Sequence, residues 1–590
     1  MRFISHVLAV LCLAMSAAAA VPADWQTVYE QSGFVQTSRY DQTVEFCKRL
    51  AIASRGKAEY RVFGKSPEGR DLPMLLVNYE SDTSKPLLLI WAGIHSGEID
   101  GKDAGLMLLR DALVLGQYPQ LLSGVRIAFI PILNVDGHER WSAFNRMNQR
   151  GPKEMGWRTT AQNLNMNRDF LKTDAPETRA LLKQMTALKP DFLLDIHVTD
   201  GADYQYVLTY SMNDHEDSPE PLRKYTHEQF LPEVKRTLKS AGYDFVPQVF
   251  FKDGEHIESG WVSPVFEPRF STGYGTVINR PSLLIETHSL KDYHTRVTAT
   301  YELLKAVIQT VSVQGGLLKN SIHRSNVQTS NLAGKKYYVS WDNTNDSTMV
   351  DFLGVDYRRE YSPTLGDSVV RWLGTPHTYR IPLFEKSAPT DSVVVPYAYI
   401  IPPAWLPLVE DLLKLHNIPL TRTTRPMELA YETYRFNKVE FGKKPYEGRF
   451  RASYQSTPIR QTATFPTGSG VVFLDYPRAQ ITIHLLEPSG PDSFVHWGFL
   501  NQIFEQKEYA EAYIMDTLAT RMLKESPPLA AEFMSRLADS TFAKDPQARL
   551  QFFYEHSPYW DARKDVYPIA RITDPNDFAV MRRLMGKIER

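Results

Sequence analysis

Four stretches of the chain are almost continuously apolar: "PLLLIWAGIH" (86–95), "RIAFIPILNVDG" (126–137), "FLLDIHV" (192–198) and "SLLIETH" (282–288). A strand with one wet face alternates apolar and polar residues, whereas a strand covered on both faces does not. The four runs therefore predict buried strands of an α/β fold. Helical patterns lie between them, at Gly101–Leu115 and at Pro176–Leu188, the latter introduced by Asp174 as a cap. Short strands alternating with helices over residues 85–310 predict a mixed, mostly parallel sheet flanked by helices.

Beyond residue 320 the pattern changes. "SNVQTSNLAGKK" (325–336) is polar enough for a linker. Residues 337–420 mix strand-like pieces such as "KYYVSW" and "SVVVPYAYII" with one helix, Trp405–His416. Residues 430–487 read as mainly β, with a turn at "PTGSG" (466–470) and strand alternation in "AQITIHLL". A helical tail follows, clearest at Phe504–Glu525. The expected division is a leader over 1–20, a catalytic domain over 21–320, a smaller α+β accessory region over 335–425, and a β-rich region with a helical tail over 426–590. There is no internal repeat.

Composition narrows the class. At 590 residues the chain is too long for one ordinary core. It has 67 Lys+Arg against 68 Asp+Glu, so no basic field invites nucleic acid. Arg2, the apolar stretch Val7–Met15 and the small residues Ala17–Ala20 read as an export signal cut near Ala20. Its apolar part is too short to span a bilayer. The longest uncharged stretch, Val393–Val409, holds four prolines, which argues against a membrane helix. No membrane anchor is then expected after cleavage. Cys47 is left as the lone cysteine, so no intramolecular disulfide is expected, and export without disulfides suits a periplasm or the cell exterior.

Each apolar run ends in chemistry-bearing residues: His95 and Glu98, Asn134 and Asp136, His197, and Glu286. Ligands collect at the carboxyl ends of strands in open α/β sheets, so these ends point to one cleft. His95 and Glu98, three apart at a strand-to-helix turn, can grip one zinc ion, although that spacing alone is more often structural. His197 is the natural third ligand; taken alone it would read as a core histidine. Asp195, on the same strand face, can orient His197 or form a structural ion pair. Glu286 follows four apolar residues, where an unpaired charge is costly. It serves either as a general base or as half of a buried ion pair with Arg280 or Arg296.

These motifs in this order resemble the zinc carboxypeptidase family, the carboxypeptidase A-like metallopeptidases, over roughly 85–310. The match rests on H-x-x-E at His95/Glu98, "NVDG" at 134–137, "NLNMNRDF" at 163–170, His197 and Glu286. The resemblance implies one zinc ion held by His95, Glu98 and His197, and Glu286 as general base. It implies that Asn167 and Arg168 grip the terminal carboxylate of a peptide substrate. Arg146 or Arg150 would stabilise the oxyanion, because Gln149 stands at the family's arginine position. Asn165 replaces the family's Asp behind a zinc histidine. The tyrosine expected some twenty residues before the glutamate is missing, since that zone holds Pro264. Tyr274, flanked by Gly273 and Gly275 in "STGYGT", becomes the candidate on a mobile loop. These departures suggest a distinct bacterial, secreted branch with a long C-terminal extension.

The expected function is hydrolysis of the C-terminal peptide bond of a peptide with a free C-terminus, using zinc-activated water. One alternative is a zinc-dependent amidase or deacylase acting on cell-wall peptides or acylated amino acids. Another is a non-catalytic binding protein stabilised by zinc. "GADYQY" (201–206) either lines the cleft or packs as an aromatic cluster. "DGEHIE" (253–258), around His256, reads as a solvated loop, and Trp497 as core.

Overall fold

The computed structural model describes residues 21–80, 82–213, 218–254 and 256–586. The expected export segment 1–20 lies outside the described residues.

Ten strands lie among the described residues of the first half: β1 (Ala58–Lys65), β2 (Asp71–Val77), β3 (Leu87–Ala92), β4 (Arg126–Ile130), β5 (Phe192–Val198), β6 (Leu208–Met212), β7 (Phe245–Pro247), β8 (Phe250–Phe251), β9 (Trp261–Val262) and β10 (Ser282–Thr287). Eight form one sheet in the order β1-β2-β4-β3-β5-β10-β6-β7. Its centre, β4-β3-β5-β10, is parallel throughout and consists of the four apolar runs. Every residue of these four strands is buried. Helices cover both faces, which removes the alternation that a half-wet strand would show.

Asp100–Leu113 and the 37-residue helix Tyr293–Thr329 pack on one face, around Leu88, Ile90, Leu108, Val297 and Leu304. At the foot of this packing Arg296 Nε donates to Asp100 Oδ2 at 2.8 Å, with both side chains fully buried. The opposite face is shared with the second half of the chain. One apolar cluster joins Leu89, Trp91, Phe170 and Tyr274 to Tyr399, Ile481, Phe504 and Ile569.

Several expectations for the second half are corrected. The polar stretch from 325 is not a linker throughout, because the long helix continues to Thr329 and buries Ser325 and Thr329. Thr329 Oγ1 donates to Pro477 O at 2.8 Å, which ties the helix end to the second half. "AQITIHLL" is the helix Ala479–Leu486, not a strand. All eight of its residues are buried, so no wet face records the helical period. Of its polar members, His484 reaches Tyr337, whose Oη lies 3.1 Å from His484 Nε2, while Gln480 Oε1 and His484 Nδ1 make no hydrogen bond among the described residues. The tail helix begins at Ala512 rather than Phe504.

Two long hairpins project from this half. Thr348–Ser362 with Asp367–Phe384 packs against Tyr204 and Tyr206, where Tyr206 Oη accepts from Leu353 N at 3.0 Å. Met427–Phe441 with Ala452–Phe465 ends a six-stranded antiparallel sheet. No helix among the described residues is long and apolar enough to cross a membrane.

Replacing Arg296 with Met would leave the Asp100 carboxylate buried beside Thr287 without its cation. Loss of one partner of a buried pair costs about 3–5 kcal/mol. Chemical denaturation should show a loss of that size; a change below about 1 kcal/mol would mean that Asp100 is satisfied without Arg296.

Candidate metal and substrate site

The site forms where the central parallel strands end. After β3 the chain turns at Gly93, whose φ of +65° is a left-handed value that favours glycine. The loop then carries His95 into the cleft. Glu98 N donates to His95 O at 2.9 Å, closing the turn that brings the two side chains together. Ser96 Oγ donates to Asn134 O at 2.7 Å, which pins this loop to the one after β4. "NVDG" is thus a support: the Asn134 side chain caps the short helix Val135–Glu139, and Asp136 pairs with Arg70 at 2.7 Å. A side chain at Gly97 would place Cβ 2.5 Å from Arg146 Cδ, so glycine is needed for Arg146 to approach.

His95, Glu98 and His197 are all buried, and one ligand atom from each lies within 4.8 Å of the others. His95 Nδ1 is 3.1 Å from Glu98 Oε1, and His197 Nδ1 is 2.9 Å from Glu98 Oε2. The opposite ring nitrogens each face an oxygen, within hydrogen-bonding geometry for His95 and at ion-pair distance only for His197, whose Nε2 makes no hydrogen bond among the described residues. Asn165 Oδ1 lies 3.0 Å from His95 Nε2, and Asp195 Oδ2 lies 2.9 Å from His197 Nε2. Two imidazoles and a carboxylate, with each far nitrogen backed by an oxygen, form a donor set that fits zinc. Where the resemblance led to an Asp behind the first histidine, a neutral amide stands there, while a carboxylate sits behind the second.

The charges are strongly coupled. Burial alone would raise Glu98, yet His95 and Arg146 hold its carboxyl well below the usual range. Arg146 Nη1 and Arg158 Nη1 reach Glu98 Oε1 at 2.6 and 3.0 Å. Burial lowers His95 to about 4. Burial also disfavours charge on His197, but the Asp195 and Glu98 carboxylates outweigh it and bring His197 up to about 10.

Glu286 lies in register with His197 on the adjoining parallel strand. Its Oε1 accepts from Gln248 Nε2 at 3.0 Å, and its buried Oε2 has no hydrogen-bond partner among the described residues. Burial, reinforced by Glu98, pushes its carboxyl up to about 8, against the pull of His197 and Arg146. Neither expected ion-pair partner reaches it. Arg296 pairs with Asp100, and Arg280 Nε donates to Pro190 O at 2.6 Å.

Asn167 and Arg168 follow Asn165 on a loop fixed by buried Asp169, which accepts from Lys172 Nζ at 2.6 Å and from Ala175 N at 2.9 Å. Asn167 Oδ1 accepts from Ser271 N at 3.0 Å, leaving its NH2 to donate elsewhere. Ser271 Oγ donates to Asp195 Oδ2 at 2.7 Å, so one serine links the support of His197 to the Asn167–Arg168 pair. The Arg168 guanidinium lies 4.1 Å from the Phe270 ring centroid and donates to Asn167 O at 2.7 Å.

Two candidates do not join this group. Arg150 is exposed, and its backbone rather than its side chain is engaged: Arg150 O accepts from Arg296 Nη1 at 2.7 Å. Tyr274 is not on a mobile loop but inside the helix Ser271–Val277, buried, with its hydroxyl 3.1 Å from His416 Nδ1. The flanking glycines serve close packing, since a Cβ at Gly273 would lie 2.3 Å from Glu267 O. "GADYQY" packs rather than opening to the cleft: Tyr204 stacks on His288 at 4.1 Å and joins Tyr206, Phe352 and Trp261 in an aromatic cluster. His256 pairs with Asp253 at 2.9 Å on an exposed loop. Three neighbours of the site carry no motif in the sequence: Arg158, Gln248 and Ser271.

Residues 43–245 match the family described as zinc carboxypeptidase. The chain is 23% identical over 499 residues to Carboxypeptidase 2 of Trichophyton rubrum, covering 78% of this chain and 84% of that protein. It is 23% identical over 501 residues to Carboxypeptidase 2 of Trichophyton equinum, with the same coverage of 78% and 84%. The solved metallo-carboxypeptidase from Burkholderia cenocepacia is 17% identical, with a TM-score of 0.36 over 46% of this chain and 69% of that chain.

If Asp195 orients His197 toward a metal, Asp195→Asn should weaken zinc binding about 10- to 100-fold with the fold intact. Competition against a chromophoric chelator measures this; an unchanged affinity would assign Asp195 to packing alone.

Proposed function

We propose that this chain, which carries a zinc carboxypeptidase domain over residues 43–245, is an exported metallocarboxypeptidase that removes the last residue of peptides with a free C-terminus. The observation that carries the reading is the loop Asn165–Arg168. Asn165 holds a ligand histidine, and two to three residues later Asn167 and Arg168 offer donors suited to a carboxylate. A substrate carboxylate held there is fixed relative to the metal-binding group by the same short backbone segment, which is how positioning lowers a barrier. Export rests on the leader-like residues 1–20.

One zinc ion held by His95, Glu98 and His197 would supply a Lewis acid that polarises the scissile carbonyl and eases deprotonation of water. Glu286 takes the proton from the attacking water and returns it to the leaving amine. Its burial suits that shuttle, because a carboxyl raised toward neutrality can both accept and release a proton near working pH. Arg146 is nearly buried and faces the charges of both Glu98 and Glu286. It donates to the oxyanion that develops on the carbonyl. Arg168 presents a planar pair of N–H donors to the terminal carboxylate, and Asn167 adds its NH2.

Glu286→Gln tests the shuttle, because it keeps the shape and removes the base. Hydrolysis should fall by at least about 10²–10⁴-fold with zinc content unchanged; an active variant would exclude Glu286 as the base. Arg146→Gln should lower kcat about 10²–10³-fold with a smaller effect on KM. An equal loss through KM alone would place Arg146 in ground-state binding.

The pH dependence has a definite sign. The base must be ionised, and its raised pKa means that the inactive, protonated form grows as pH falls. The kcat/KM profile should therefore rise with pH along an acid limb that Glu286→Gln abolishes. A bound cation favours the carboxylate, so the midpoint should fall between the ordinary glutamate value of about 4.3 and the value of about 8. A profile flat down to pH of about 4 would contradict the assignment.

A further inference from the structure

The Glu286 side chain stands on β10, and β6 runs antiparallel beside it, with Thr209 opposite Glu286 and Ser211 opposite Leu284. Residues opposite one another share a face of the sheet, as do residues two apart on one strand, so Thr209, Ser211 and Glu286 point the same way. Beyond β6 lies β7, and Gln248 is the residue that follows it. Two strand spacings separate β7 from β10, about 9–10 Å in the plane of the sheet. A glutamine and a glutamate can meet across that gap only above short side chains, which Thr209 and Ser211 provide.

The meeting is fixed at both ends of the amide. Gln248 Nε2 donates to Glu286 Oε1 at 3.0 Å, and Gln248 Oε1 accepts from Ser211 Oγ at 2.7 Å. An ionised carboxylate only accepts, so the amide must turn its NH2 to Glu286 and its oxygen to Ser211. The reversed amide would set oxygen against oxygen.

The backbone of Gln248 is held as well. Its N donates to Tyr210 O at 2.7 Å, and its O accepts from Trp261 Nε1 at 3.0 Å. Trp261 is in register with Leu383 on the hairpin strand Asp367–Phe384, and its ring lies 5.5 Å from that of Phe352 on the partner strand. The second half of the chain therefore braces the residue that holds Glu286.

This clamp treats the two oxygens of Glu286 differently. Oε1 is occupied, whereas Oε2 is buried and has no hydrogen-bond partner among the described residues. A buried acceptor is costly to leave unmatched, so Oε2 is the oxygen prepared for a group that arrives during turnover.

We propose that Gln248 is a positioning residue: its amide, oriented by Ser211, clamps Glu286 Oε1 and turns Oε2 to the attacking water. The water oxygen adds to the carbonyl carbon as its proton moves to Oε2, and that proton passes to the leaving nitrogen as the C–N bond breaks. Gln248 keeps its own protons throughout. The inference rests on the carboxypeptidase reading, in which Glu286 is the base.

The test uses the full chain and an N-blocked dipeptide with a free carboxylate that the parent cleaves. Gln248→Met keeps the length of the side chain and removes the donor. Loss of the clamp predicts a fall in kcat of about 10- to 100-fold with KM changed by less than about threefold and zinc content unchanged. Ser211→Ala, which frees the amide to rotate, should lower kcat about 2- to 10-fold. Ser211→Thr, which keeps the hydroxyl, should restore most of that loss. A Gln248→Met enzyme with parental kcat, beside an inactive Glu286→Gln, overturns the role of Gln248 and leaves the base assignment standing. A loss carried by KM or by departure of zinc overturns it too, because Gln248 would then support the fold rather than the base. Should Gln248→Met not fold, equal kcat in the Ser211→Ala and Ser211→Thr enzymes overturns it. A fully active Glu286→Gln sinks the base assignment and this inference together.

Discussion

The organising constraint is the buried carboxylate of Glu98. Two imidazoles and two guanidinium groups converge on its two oxygens. A carboxylate taken out of water this completely persists only when paired or bound to a metal. Meeting that demand requires four residues from three places: His95 after β3, His197 at the end of β5, and Arg146 and Arg158 from the long connection after β4. The parallel centre of the sheet makes the convergence possible, because it aligns the carboxyl ends of β3, β5 and β10 along one edge. Glu286 enters the same electrostatic field from the adjoining strand, and part of its raised pKa is the repulsion of Glu98.

The second consequence is that the two halves of the chain act as one structure. They share an apolar cluster under the sheet, and the helix Tyr293–Thr329 runs across the expected boundary at 320. The hairpins then reach the site region from two directions, one onto Tyr204 and Tyr206 and the other onto Asn165 and Asp174. Substitutions in the second half can therefore alter the site without touching a metal ligand. The second half supplies contacts to the loop bearing Asn167 and Arg168.

What could be read from sequence followed from local physics. The four central strands are buried on both faces, so they appear as unbroken apolar runs, and the residues just past them sit at the functional edge. His95, Glu98, His197 and Glu286 are legible for that reason. Arg158, Gln248 and Ser271 are not, because they come from loops and a helix start whose local sequence carries no period. Tyr274 misled because glycines on either side suggest mobility, whereas here they permit a helix to pack against Glu267 and Ser282. "AQITIHLL" misled because complete burial erases the distinction between helical and strand periods. The contact between Asn165 and Glu447 joins residues 282 apart in sequence, which no local pattern records.

The most direct measurement pairs zinc content with cleavage of matched peptides. The purified chain, analysed for metal, is offered peptides identical except for a free or an amidated C-terminus, together with cell-wall peptides. The account predicts one equivalent of zinc, release of the last residue from the free acids, and loss of cleavage on the amides. Zinc-loaded protein that cuts the amides equally well, or cuts no peptide at all, would contradict it.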